Sequence, residues 1–525
     1  MARIRRGFAA GLALLLGVLL PAAPAHAVVY VPISGAGSSW SGPAVYQWAS
    51  NVKQYGMTVS YADTGSSDGR NRFKSGVVDY AVSEIPYGLT DGGVVDYPPT
   101  TKFSYMPIVA GGTSLMYNLR IGNNRVTNLR LSGEVIAKIF TGVITNWSDP
   151  AIRADNPRLN LPAREIVPVV RSDGSGTSAQ FTMWLSKKYP NLWNDYCRKA
   201  GRTTPCGFTS NYPVVAGMGF TAQSGSNGVA GYVKQDGNVG TITYVEYSYA
   251  VNLNFPVAKV RNSKDYYVEP TASSVAVALV DAQINSDLTQ KLDAVYDSTD
   301  KRAYPLSSYS YMIIPVDQVS GSFSLDKGRT LAAFAYYFLC EGQQQAESLG
   351  YSPLPVNLVK AGKAQVDRIP GAVPKAIDGR SCNNPTLSPD GSNALANKAP
   401  QPKECDFKGN DMCASGTGGA RYNTPLLAAP TGSATTSPGA SASPGTNTGT
   451  GTGTGTGTVV DPDTGQVIGT GGGASGGDVT ATTVDLVAQD RSTRRTMLLL
   501  AAATLVALVL LPPLLARTLR NRRRL

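Results

Sequence analysis

The chain has 525 residues and a formal net charge of +11, with a single histidine and six cysteines. The excess charge sits at the ends: Arg3, Arg5 and Arg6 at one, and Arg491, Arg494, Arg495, Arg517, Arg520, Arg522, Arg523 and Arg524 at the other, in stretches without acidic residues, so that 36 basic and 36 acidic residues remain between them. Overall basicity therefore gives no footing for a nucleic-acid surface, and with His26 the only histidine, histidine triads, imidazole acid–base chemistry and histidine-liganded zinc are excluded from the rest of the chain.

The N-terminal arginines precede an apolar run from Gly11 to Leu20 and a small-x-small site, Ala25-His26-Ala27. That layout predicts a cleaved secretory signal over residues 1–27, the run being short for an uncleaved anchor. From 28 to 373 the composition is mixed and globular. Ser41 is a candidate helix cap, with Pro43 in the first turn and Ala44, Val45, Trp48, Ala49 and Val52 at helical spacing behind it. Val77 to Ser83 predicts a strand. Phe181, Trp184 and Leu185 mark the buried face of a helix after a Gly/Ser-rich turn, and Tyr232 to Lys234 followed by Tyr244 to Tyr247 predicts a helix end and then a strand. The alternation predicts an α/β fold.

Cys197, Cys206, Cys340, Cys382, Cys405 and Cys413 make an even count in an exported chain, which favours disulfides over metal ligation. Fifteen pairings fit that count; Cys197 with Cys206 and Cys405 with Cys413 would close local loops, leaving Cys340 with Cys382. Residues 374–425 are Pro- and Asn-rich, a Cys-containing, loop-rich extension. Residues 426–490 are mostly Gly, Thr, Ser, Ala and Pro up to about 480, with Gly-Thr dipeptides from Gly449 to Thr458. Such composition buries too little surface to fold and predicts a linker, about 55 residues of flexible coil reaching roughly 40 Å. The uncharged apolar run from Met497 to Ala516 predicts a transmembrane helix over 496–516, and the arginines of 517–525 place that tail in the cytoplasm.

Three segments share a Ser/Thr/Gly-rich turn at the start of a helix: Gly35-Ala36-Gly37-Ser38-Ser39-Trp40, Gly65-Ser66-Ser67-Asp68-Gly69 and Arg171-Ser172-Asp173-Gly174-Ser175-Gly176-Thr177. Free N–H groups at a helix start, hydroxyl donors and missing side chains at glycine form a cradle for an oxyanion. In the third segment a guanidinium can hold the anion while Asp173 orients it.

These segments, in this order and with Val78-Asp79-Tyr80-Ala81-Val82-Ser83-Glu84 between the second and third, resemble the phosphate-binding proteins of phosphate ABC transporters. Phe140 to Trp147, Asn227 to Val233 and Tyr304 to Tyr311 support the resemblance, which runs from about Ile33 to Pro370. It implies a type II periplasmic-binding-protein fold of two α/β lobes, one from 28–115 and 290–373, the other from 116–289. It also implies a phosphate site made of Ser39, Trp40 (backbone N–H), Ser66, Glu84, Arg171, Ser175, Gly176 and Thr177, with Asp173 bracing Arg171. Ser39 stands where Thr is common, Trp40 where Phe is, and Glu84 where Asp is. The carboxylate's role is to accept the proton of phosphate, which sulfate lacks.

The implied partners are inorganic phosphate and a membrane permease, with no cofactor or metal, no reaction catalysed, and a monomeric ectodomain. Two alternatives stand beside it. One is a tethered anion sensor or scavenger not coupled to transport. The other is a surface phosphatase, against which stand the missing histidines, the absence of a Gly-x-Ser-x-Gly elbow around Ser175 and the lack of a metal-carboxylate cluster.

Overall fold

The computed structural model describes residues 29–91, 93–317, 321–377 and 382–428, and two short strands beyond them. The predicted signal (1–27), membrane helix (496–516) and tail (517–525) lie outside the described residues. Among those described, no helix is long and apolar enough to cross a membrane. The chain divides into two compact units, Met1–Ser433 and Ala434–Leu525. In the second unit Thr458–Val460 and Val467–Thr470 pair antiparallel, so two short strands lie within the predicted linker.

The first unit is built on β1 (Ile33–Gly37), α1 (Gly42–Asn51), β2 (Val59–Ala62), α2 (Ser66–Lys74), β3 (Tyr80–Ser83), β4 (Phe103–Tyr117), β5 (Val167–Arg171), α3 (Gly176–Lys188), β6 (Thr221–Gln223), α4 (Gly225–Lys234), β7 (Thr241–Glu246), β8 (Val257–Arg261), β9 (Ser307–Pro315) and α5 (Leu325–Leu339). The main path of the sheet runs β6-β5-β7-β4-β9-β3-β1-β2. At one end β1 lies parallel to β2 and β3; at the other β5 lies parallel to β6 and β7. These are the sheets of two lobes.

The long strand β4 belongs to both lobes. Its first part pairs antiparallel with β9 and its second part with β7 and β8. The partner changes between Gly112, opposite Ser307, and Thr113, opposite Glu246. Here glycine is required by space: a Cβ on Gly111 would lie 2.7 Å from the Trp40 ring, and one on Gly112 2.5 Å from Pro270.

The helix around Trp48 forms as its spacing predicts, with Ala44, Val45, Trp48, Ala49 and Val52 all buried and Pro43 in the first turn. Trp48 stacks on Phe338 of α5, ring centroids 5.0 Å apart. Phe181 stacks on Tyr244 at 4.6 Å in the other lobe. Three expectations need correction. Ser41 precedes α1, but its side chain makes no cap; its hydroxyl instead lies 3.0 Å from Ser310 Oγ, whose own proton goes to Glu84. The strand expected from Val77 begins at Tyr80, because Gly76 turns at φ +68° and the chain enters the sheet only where Asp79 accepts the Ser34 N–H at 2.8 Å. Tyr247, expected to continue β7, opens a short helix, Tyr247–Asn252. The disulfides are Cys197–Cys206, Cys340–Cys382 and Cys405–Cys413.

Candidate anion site between the lobes

Four helices, α1 to α4, start just past the C-terminal ends of the parallel strands β1, β2, β5 and β6, where open α/β sheets bind ligands. Their first turns converge. From the first lobe, the turn Ser38-Ser39-Trp40 is pinned by three tyrosine hydroxyls that donate to its carbonyls: Tyr61 to Ser38 (2.7 Å), Tyr249 to Ser39 (2.5 Å) and Tyr351 to Trp40 (2.6 Å). Those carbonyls are thereby taken, and the Trp40 N–H donates to Ser38 Oγ at 3.0 Å.

Arg171 ends β5 with only 2% of its surface exposed. Its Nε donates to Asp173 Oδ1 at 2.7 Å, Nη2 donates to Asp173 Oδ2, and Nη1 reaches Ser226 Oγ at 3.3 Å. Asp173 Oδ1 also accepts the Gly225 N–H at 2.9 Å. The bidentate brace fixes the guanidinium plane. Burial alone would push the Asp173 carboxyl up, but the bonds and charge of Arg171 and the Gly225 N–H outweigh it and hold the group below its ordinary value.

Glu84, just past β3, is buried rather than displayed on the surface. Its Oε1 accepts from Ser38 Oγ (2.5 Å) and Ser310 Oγ (2.9 Å), and its Oε2 from Ser66 Oγ (2.8 Å). Burial raises its pKa; the Ser38, Ser66 and Ser310 hydroxyls and then the Arg171 charge pull it back without cancelling the shift.

The two lobes meet here through these groups. Ser66 Oγ accepts the Gly176 N–H at 3.1 Å, Ser39 Oγ lies 2.8 Å from Ser226 Oγ and accepts its N–H at 3.1 Å, and Gln180 Nε2 donates to the Glu84 carbonyl at 2.7 Å. Ser175 caps α3 by accepting the Ser178 N–H at 3.2 Å. The Thr177 hydroxyl is buried with no partner among the described residues, an expensive arrangement for a polar group unless a ligand completes it.

The structure thus brings together Ser39, Trp40, Ser66, Glu84, Arg171, Asp173, Ser175, Gly176 and Thr177. Sequence reasoning gave no role to Ser38, Ser226 or Ser310. The signal for Ser226 was present, since Ser224-Gly225-Ser226-Asn227-Gly228 repeats the Ser/Gly-rich helix start of the other three. Ser310 sits mid-strand with no such mark, and only the pairing of β9 beside β3 brings it to Glu84.

Two expected results follow from this geometry. A Cβ at Gly176 would strike the Glu84 carboxylate and come within 2.5 Å of Ser66 Oγ. Gly176→Ala is therefore expected to hold the lobes apart and weaken anion binding by at least about tenfold, the equivalent of about 1.4 kcal/mol, in calorimetric titration. Ser226→Ala removes one buried hydroxyl that touches both Ser39 and Arg171. At about 1 kcal/mol net for such a bond, it should weaken binding about fivefold, with Ser226→Thr restoring most of the loss.

A family model described as a PBP superfamily domain matches residues 22–341. The phosphate-binding protein PstS of Xylella fastidiosa strain Temecula1 is 32% identical over 334 residues, which cover 63% of this chain and 83% of the relative. PstS of Haemophilus influenzae is 30% identical over 334 residues, covering 63% and 92%, and PstS of Methanocaldococcus jannaschii 31% over 322 residues, covering 57% and 78%. With a match over more than half its length and relatives of this identity covered over 78 to 92% of theirs, the chain belongs to the PBP superfamily and, within it, to the family of PstS phosphate-binding proteins.

Proposed function

We propose that this protein captures inorganic phosphate in the cleft between its lobes and delivers it to the membrane permease of a phosphate ABC transporter. The observation that carries the reading is the composition of the buried cluster: hydroxyl and N–H donors from four helix starts, one braced guanidinium, and a single carboxylate acceptor, Glu84. Monohydrogen phosphate both accepts and donates hydrogen bonds, so it satisfies the donors and gives its proton to Glu84. Fully ionised sulfate would leave that carboxylate unpaired and repelled.

Ser39, Trp40, Ser66, Arg171, Ser175, Gly176 and Thr177 are the proposed phosphate ligands, and Asp173 positions Arg171. Closure of the two lobes sequesters the ion. Residues 1–27 export the chain, and 496–516 hold it in the membrane through the Gly/Thr-rich segment, which keeps the binding unit near the permease. No bond is made or broken in this cycle.

Calorimetric titration of the purified chain lacking 1–27 and 491–525 with phosphate, arsenate and sulfate tests the reading. Heat with phosphate and arsenate and none with sulfate is the expected pattern. Equal response to sulfate, or none to any of the three, would overturn it.

A further inference from the structure

Residues 382–428 lie outside the part of the chain matched by the family, 22–341, yet they are tied to both lobes. At the start, Cys382 is bonded to Cys340, which follows α5 of the first lobe. Next to it, Asn384 Nδ2 and Thr386 Oγ1 both donate to the Leu354 carbonyl, at 3.3 and 3.2 Å. In the middle, the short helix Ala394–Asn397 packs on Ala272–Ala278, and Arg302 Nη1 donates to the Ala396 carbonyl at 3.0 Å.

The far end is fastened to the second lobe. The Lys259 ammonium of β8 meets Asp406 at 2.7 Å with both side chains about nine-tenths buried. Arg130, itself buried, donates from Nη1 to the carbonyls of Cys405 (3.2 Å) and Asp411 (2.8 Å). Thr417 closes on Val257 of β8 in both directions, its hydroxyl donating to the Val257 carbonyl at 2.5 Å and accepting the Val257 N–H at 3.1 Å. Beside the crossing strands, the Gly418 N–H donates to Glu269 Oε1 (2.8 Å), Arg421 Nη1 to Glu269 Oε2 (3.1 Å) and Arg421 Nη2 to Tyr247 Oη (2.9 Å). Tyr247 directly follows Glu246, the residue opposite Thr113 where β4 changes partner.

We infer that residues 382–428 form a strap that limits how far the two lobes can part. A segment covalently bound to one lobe, seated at its middle and locked by one buried ion pair and by bonds to backbone groups of the other cannot lengthen without breaking those contacts. Opening therefore works against the strap, whatever occupies the cleft. A restraint that favours the closed arrangement slows ligand release, and by lowering the population of the open form it slows ligand entry as well. The expected signature is a change in both rates with a smaller change in affinity.

The turn Pro389–Ser392 is exposed and lies between the first-lobe attachment and the helix Ala394–Asn397. Replacing it by a recognition sequence for a specific protease allows the strap to be severed in the folded chain, with the uncut protein as its own control. Spin labels at Lys53 and Lys199, exposed positions on the two lobes, report the opening, and stopped-flow mixing with phosphate reports the rates. After cleavage the label distances in phosphate-free protein are expected to lengthen and broaden, and both entry and release to accelerate about tenfold. A cut protein with unchanged distances and unchanged rates would overturn the inference. Because the distance measurement needs no ligand, a failure of phosphate binding and a failure of the strap are distinguishable. A Cys340→Ser/Cys382→Ser double variant provides a second route, in which the same lengthening is expected to a smaller extent.

Discussion

Arg171→Ala is expected to weaken phosphate binding by about thirtyfold to several thousandfold. The estimate follows from the burial of the guanidinium and its bidentate brace: truncating one partner of a buried, hydrogen-bonded charge pair costs about 2 to 5 kcal/mol of binding, at about 1.4 kcal/mol per decade. Two further effects identify the cause. The Asp173 carboxyl, held low by Arg171 and the Gly225 N–H, loses its principal counter-charge, so its pKa should rise. Arg171→Lys should recover only part of the affinity, because an ammonium cannot reproduce two parallel bonds to Asp173 while a third nitrogen reaches Ser226. Calorimetry on the three proteins checks the order wild type, Lys variant, Ala variant. A wild-type affinity in the Ala variant would remove Arg171 from the site.

Glu84→Gln is expected to collapse discrimination between phosphate and sulfate by about two to three orders of magnitude. In the wild type, sulfate leaves a buried carboxylate facing a dianion, a penalty of about 3 to 5 kcal/mol. The amide carries no charge and offers a donor, so that penalty disappears for sulfate while phosphate loses its proton acceptor. The pH dependence has a definite sign. Burial raises the Glu84 pKa above that of an exposed glutamate, so on acidification this group takes up its proton, and the site loses its selectivity, at a higher pH than the ordinary carboxylate range would suggest. The same shift enters stability. The folded protein binds the Glu84 proton more tightly than the unfolded chain does, so the contribution is complete below the unfolded-state pKa and is lost as pH rises through the raised folded-state value. Competition titrations with sulfate across the acidic range, on wild type and Glu84→Gln, separate the two: the wild type should lose selectivity as pH falls, and the variant should show little change.

Glu84, standing where the resemblance leads to the expectation of an aspartate, is held by its neighbours. Three hydroxyls, from Ser38, Ser66 and Ser310, are gathered on the carboxylate. They come from three separate segments of the first lobe, two at helix starts and one from β9. A carboxylate so held keeps a fixed position, with one lone-pair site, on Oε2, left for a ligand proton.

What the sequence by itself determined was local. The Ser/Gly-rich turns before α1, α2 and α3 were legible because free N–H groups, hydroxyls and missing side chains are properties of a few consecutive residues. The packing face of α1 was legible from helical periodicity, and Arg171 and Asp173, two residues apart, announced their own brace. The strand at Tyr80 was misplaced by three residues because a tertiary contact, Asp79 to the Ser34 N–H, decides where the sheet begins.

Only the tertiary structure decided the rest, since each feature joins residues remote in the chain. Ser310 reaches Glu84 through the pairing of β9 with β3, and Ser226 reaches Ser39 across the cleft, 187 positions away. Hydroxyls of this kind carry no periodic or compositional mark; their meaning comes from the group they touch. The same holds for residues 382–428. Their composition predicts a loop-rich appendage, and nothing local distinguishes a free tail from a strap. That difference lies in the buried partners, Leu354, Arg130, Lys259 and Val257, which other parts of the fold supply.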